Sequence, residues 1–107
     1  MYGKATINNC EKIYAMICDM ECKQLPFDKF YKIYQQQINH KQYYCIVCEC
    51  NDVVVSVLNL RFEQQLHHCE CIAEIMEFAV DRLYRNKGRG KEMFYNTCQI
   101  AKDFGCT

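Results

Sequence analysis

The sequence predicts a single α+β domain, and three observations carry that prediction. Apolar residues recur at helical spacing in two early segments and one late one. Between them lie three apolar runs of strand character. At 107 residues the chain has room for one small domain, and half of it is apolar, enough to fill a core. The element order is therefore helix, helix, strand, strand, strand, helix, with a short first strand at 2-YGKATI-7.

In the first helix, over about 9–22, Ile13, Tyr14, Ile17 and Met20 fall on one side. Asn8 and Glu11 supply the cap and the third helical position. Pro26 suits the start of a second helix. Its stripe is Phe27, Phe30, Tyr31, Tyr34 and Ile38, a pattern of core packing, with an end near Asn39. The run 43-YYCIVCEC-50 reads as a strand, and Asn51-Asp52 is a two-residue hairpin turn into 53-VVVSVLNLRFEQ-64. A polar connection, 65-QLHHCEC-71, leads to the buried strand 72-IAEIMEFAV-80. The last helix, about 89–104, carries Met93, Phe94, Thr97, Cys98, Ala101 and Phe104, and Gly105 stops it.

The ten cysteines invite a disulfide or metal reading. The N-terminus, 1-MYGKATINNCEK-12, lacks the apolar core of a secretion signal. The cysteines are thus expected to be reduced and the protein cytoplasmic. The cysteines fall into two groups, Cys45, Cys48 and Cys50 against Cys69 and Cys71. On paired strands, Cys50 sits near the start of 53–64 and Cys69 beyond its far end, roughly 30 Å away at ~3.3 Å per residue, so one zinc site cannot use both groups. Small apolar filler is the favoured reading. No apolar run approaches the ~20 residues of a membrane span, so no membrane partner is expected.

Net charge is zero, so no global attraction to nucleic acid operates. Positive charge is instead local, in 81-DRLYRNKGRGKEM-93. A strand ends at Val80, a turn carries Gly88 and Gly90, and a helix follows. Glycine lets backbone approach a ligand, and a helix start offers unpaired N–H groups and a positive dipole end. Together they form an anion site suited to a diphosphate. A solvated basic loop or a nucleic-acid patch is the competing reading, and the latter calls for more net charge and exposed aromatics. The segment is neither a P-loop nor G-x-G-x-x-G.

The pattern Arg85-x-x-Gly88-x-Gly90, after an apolar strand and before a helix ending in 101-AKDFGC-106, resembles the acetyl-CoA motif of the GNAT superfamily of N-acetyltransferases. That resemblance implies a mixed, mostly antiparallel central sheet flanked by helices. It implies acetyl-CoA as cosubstrate. The pantetheine arm would lie along Phe78, Ala79 and Val80, and the diphosphate on Arg85, Asn86, Lys87, Gly88, Arg89 and Gly90, with Lys91 nearby. It implies a backbone amide at or near Val80 for the oxyanion.

Transfer to an amine needs a base, since an alkylammonium has a pKa of about 10.4. Glu74 and Glu77 stand on the strand beside the cofactor. Three residues apart, they face opposite sides of a regular strand. A β-bulge, common at this place in the family, would remove that parity. The segment 73-AEI-75 resembles histone acetyltransferase members and favours Glu74, with Glu77 as a second base, water holder or substrate ligand. Together, 13-IYAMICDME-21, 66-LHH-68 and 74-EIMEFAV-80 resemble the aminoalkylphosphonate N-acetyltransferases. That closer resemblance adds His67, His68 and Glu77 as candidates for substrate or divalent-metal contact.

The family's domain runs on beyond this point through a strand, a helix and closing strands, whereas the sequence stops at 104-FGCT-107. The expectation is an incomplete GNAT domain, lacking the C-terminal strand-helix-strand part and the tyrosine that protonates the leaving thiolate. The edge of strand 72–80 would be exposed, and a homodimer would cover it. Three functions follow: a small-amine N-acetyltransferase, a non-catalytic CoA-binding fragment, or a nucleic-acid binder.

Overall fold

The computed structural model of the protein describes residues 1–85 and 88–106, Arg89 by its backbone alone. The order is β1 (Tyr2–Lys4), a 3-10 turn (Ile7–Asn9), α1 (Cys10–Glu21), α2 (Phe27–Ile38), β2 (Tyr43–Cys50), β3 (Val53–Gln65), β4 (Glu70–Val80), a second 3-10 turn (Arg82–Tyr84) and α3 (Arg89–Asp103). The strands form one four-stranded sheet in the order β1-β2-β3-β4, every pair antiparallel. This is the α+β architecture expected.

Local chemistry sets the element ends. Thr6 donates from its N–H (2.8 Å) and its hydroxyl (3.3 Å) to Asn9 Oδ1, so residues 7–9 wind into a 3-10 turn first. Asn9, not Asn8, therefore caps α1. Asn51 and Asp52 both adopt left-handed φ, +52° and +64°, the geometry that a two-residue hairpin turn requires. The segment expected as a polar connection is a tight turn over residues 66–69 that carries Cys69 at φ +53°, with its flanks taken into the strands: β3 runs to Gln65 and β4 starts at Glu70.

The sheet separates two apolar layers. On one face, Ile13, Met16 and Ile17 of α1 and Tyr34 of α2 pack on Val47, Val57 and Ala79. On the other, Met93 of α3 packs on Ile46, Val55, Leu58 and Leu60. Each such buried side chain contributes about 1.5–3 kcal/mol. The aromatic stripe of α2 is less buried than expected. Tyr34 is buried, but Phe27 and Tyr31 are over a third exposed, and Ile33 over half. Phe27 and Phe30 instead meet Tyr14 of α1 edge-on, with ring centroids 5.0 and 5.2 Å apart. Of the expected α3 stripe, Met93, Thr97 and Ala101 are buried, while Phe94 and Cys98 point outward.

One expectation is overturned. Cys71 and Cys106 form a disulfide, so the cysteines are not all reduced; the other eight are free. The hairpin returns Cys71 to the base of β4, and the tail after α3 pairs Cys106 beside it in a parallel bridge. Spacing along the chain, 35 residues, gave no hint of that proximity. Among the described residues, no helix is long and apolar enough to cross a membrane.

Candidate active site

Glu74 and Glu77 share a face of the sheet because β4 bulges. In the β3–β4 register, Asn59 faces Glu77 and Leu60 faces Ile75, which leaves Met76 as the extra residue. Glu74 then faces Arg61, two residues from Asn59 and on the same side.

Their surroundings differ. Glu74 Oε2 accepts from Arg61 at 2.8 Å on the exposed surface. Glu77 Oε1 accepts from Asn59 Nδ2 at 2.9 Å, and the same amide donates to Gln37 Oε1 at 2.8 Å. Glu77, Asn59 and Gln37 line a cavity of about 430 Å3 between the sheet and the α1–α2 layer, and Glu74 does not. Cys45 reaches the same cavity, and burial, followed by the charge of Glu77, pushes its thiol up to about 12. Burial also raises the Tyr34 phenol, whose hydroxyl donates to Thr6 O at 2.7 Å.

Beyond Glu77, Phe78 packs toward α3 and Ala79 toward α1. Asp81 N–H donates inward to Val55 O at 2.7 Å. Alternation along the strand therefore turns Val80 N–H and C=O to the outer edge of β4, and Arg85 Nε donates to that Val80 oxygen at 3.0 Å.

The turn after β4 is fastened to α1 by charge. Lys12 pairs with Asp81 at 2.5 Å, while Asp19 holds both Arg82 and Arg85, the latter at 2.9 Å. The bond from Arg82 draws the Asp19 carboxyl below its usual range, and the bond from Lys12 does the same for Asp81. Arg85 thus has two protein partners, the Asp19 carboxylate and Val80 O.

Gly88, at φ +77°, is the residue before α3, and Gly90 is so near Phe78 that an added Cβ would lie 3.4 Å from its Cζ. The first amides of α3 have no partner within the helix, so backbone can cradle an anion here, which fits a pyrophosphate. Lys91 and Gly88 line an open groove along α3. Asn86 and Lys87 lie outside the described residues, as does the Arg89 side chain.

His67 and His68 are not brought to this site. Their rings lie against each other, tilted by 46° with centroids 4.1 Å apart, in the exposed β3–β4 turn, where His68 Nδ1 lies 2.6 Å from Gln65 Oε1. Glu77 is seven residues up β4 from Glu70, roughly 23 Å. Among the described residues, no three His, Cys, Asp or Glu side chains converge as a metal site. The donors present do not fit a divalent ion.

The family model described as the acetyltransferase (GNAT) family matches residues 9–107. The chain belongs to the GNAT family. Solved structures share its fold at low identity. A transcriptional regulator from Bacillus halodurans superposes with a TM-score of 0.89 at 20% identity, over 99% of this chain and 76% of that one. A GNAT family acetyltransferase from Staphylococcus aureus gives 0.85 at 15%, over 100% and 81%. An aminoglycoside acetyltransferase from an uncultured soil metagenomic sample, in complex with sisomicin, gives 0.83 at 21%, over 100% and 72%. No curated protein sequence matches the chain. This GNAT protein is an N-acetyltransferase using acetyl-CoA as cosubstrate, with an acceptor as second substrate.

Sequence reasoning missed Gln37, Asn59, Lys12 and Asp19. Asp19 lies 63 and 66 residues from its two arginines, and no local pattern announces such pairs. Asn59 had one weak signal, as an amide between two leucines of a strand.

Proposed function

We propose that this GNAT protein acetylates a primary amine of a small molecule seated in the cavity between the sheet and α1–α2, with Glu77 as the base. The placement of Glu77 carries this reading: it lines the cavity, bonded to Asn59, three residues before the outward-facing amide of Val80, whereas Glu74 does not line it. The acceptor binds as an ammonium and passes a proton to Glu77, directly or through water. The freed amine forms an N–C bond to the thioester carbonyl. Val80 N–H donates to the oxyanion that develops. The C–S bond then breaks, and the departing thiolate takes the proton that the acetylated nitrogen sheds, directly or through water. Pantetheine runs along Phe78, Ala79 and Val80, taking the Val80 oxygen that Arg85 holds. The pyrophosphate rests on the amides of residues 85–90, with Lys91 beside it. Glu74, paired with Arg61 at the surface, shapes the local charge.

The aminoalkylphosphonate acceptor suggested by the sequence resemblance is less well supported. Lys23 is the single cation among the described residues lining the cavity, and Glu21 lies beside it there. The reading extends to a cytoplasmic homodimer, in which a second copy pairs with β4. Among the described residues, the outer edge of β4 is bridged only at Cys71. Sedimentation as a monomer would remove the dimer.

Acetyl-CoA is expected to raise the melting temperature, and an amine panel to release free thiol. Glu77→Gln should lower kcat by about 10²–10⁴, and Glu74→Gln by only a few-fold. No response to acetyl-CoA overturns the reading; the reverse order of the two variants overturns the choice of base.

A further inference from the structure

The lining of the acceptor cavity is divided by chemistry. Ile13 and Ile17 of α1, Phe30 and Ile33 of α2, and Val57 of β3 supply apolar walls. Tyr34 presents its ring, because its hydroxyl is turned to Thr6 O. The Cys45 thiol stays neutral. Glu21 and Lys23 also line the cavity, and a separate polar cluster forms where Asn59 Nδ2 donates to both Gln37 Oε1 and Glu77 Oε1. An amide nitrogen has two hydrogens, so these two bonds use the donor capacity of Asn59. Asn59 Oδ1 and the second Glu77 oxygen remain as acceptors, beside the Gln37 amide nitrogen as a donor.

We infer that the acceptor is an apolar monoamine, an aryl- or alkyl-substituted primary amine whose ammonium enters the Glu77–Asn59 end and whose body lies along the isoleucine and phenylalanine walls. This rests on the reading that the cavity receives the acceptor. The charge is complementary, because three ammonium donors meet an acceptor-rich end carrying one carboxylate. Volume agrees too, since about 430 Å3 lies within the usual range for a small-ligand site. Along the isoleucine and phenylalanine walls, away from Lys23 and Glu21, hydroxyls or a phosphonate would be buried without partners, each weakening binding by about tenfold or more. Aminosugars and aminoalkylphosphonates are thereby disfavoured.

Calorimetric titration of the full chain tests this without relying on turnover. 2-Phenylethylamine and hexylamine are expected to bind at least about tenfold more tightly than glucosamine or 2-aminoethylphosphonate, with a negative heat-capacity change. Ile33→Asp should weaken 2-phenylethylamine by about tenfold and leave the thermal shift from acetyl-CoA unchanged; Ile33 is 54% exposed, so folding should tolerate the change. Should that variant misfold, Glu77→Gln gives the second readout, again as weaker amine binding. Equal or tighter binding of the sugar or phosphonate, or no binding of either apolar amine, overturns the inference. Transfer to a phosphonate that still depends on Glu77 would sink this inference and leave the proposed function intact. Tight binding of apolar amines with no transfer would do the opposite.

Discussion

At residue 90 a Cβ would rest against the Phe78 ring, 3.4 Å from its Cζ, and a branched side chain would press on that ring beside α3. Gly90→Val is therefore expected to abolish the rise in melting temperature caused by acetyl-CoA, whereas Gly90→Ala should keep most of it. Retention of the full rise in the valine variant would show that the cradle lies elsewhere. Gly88 differs: space around it is open, and the constraint is its left-handed backbone. Gly88→Ala should cost about 1 kcal/mol in denaturant unfolding. These glycines were legible in the sequence because left-handed backbone at Gly88 and close packing at Gly90 leave a trace in residue type. The Met76 bulge was open to reading only through the family resemblance, not from the residues themselves. An inserted strand residue looks like any other apolar residue until the partner strand fixes the register, so the choice between Glu74 and Glu77 needed three dimensions.

Among the elements, α1 has two tasks. Its Ile13 and Ile17 wall the acceptor cavity, while Lys12 and Asp19, two helical turns apart, hold the segment after β4. Asp19→Asn should raise KM for acetyl-CoA several-fold with little change in kcat, because it loosens Arg82 and Arg85 without touching Glu77. Asp19 and Asp81 both have lowered carboxyl pKa values. Their contribution to stability is therefore fully present above the ordinary aspartate value of about 3.9 and lost as pH falls below it. The gap in urea midpoint between the parent and an Asp19→Asn/Asp81→Asn double variant should be visible at pH 7 and narrow near pH 3. A constant gap would mean the ion pairs do not stabilise the fold. The strand 43–50 and its turn were readable because apolar run and turn chemistry are local. The clasp on α1 was not, since its partners meet only after the whole sheet has intervened. The aromatic stripe of α2 misled in degree: the helix sits over a cavity, so several rings meet α1 or solvent rather than the sheet.

At the scale of the whole molecule, the Cys71–Cys106 bond joins the base of β4 to the tail of α3. Thiol titration of the unfolded chain should count eight groups without reductant and ten with it. For a loop of 35 residues the chain-entropy model gives about 4 kcal/mol of stabilisation, so reductant should lower the denaturant midpoint markedly. Ten thiols before reduction would disprove the bond. The charge balance and the family pattern were open to reading from the sequence, but this pairing was not, because ten cysteines offer too many partners for counting to choose. The bond also makes the stretch from 71 to 106 a closed ring, and Glu77, Val80, Arg85, Gly88 and Gly90 all sit on it. A protease that severs the backbone once within that ring liberates no fragment. The nicked molecule gains the mass of one water, migrates as a single band, and falls into two pieces only when a thiol is added.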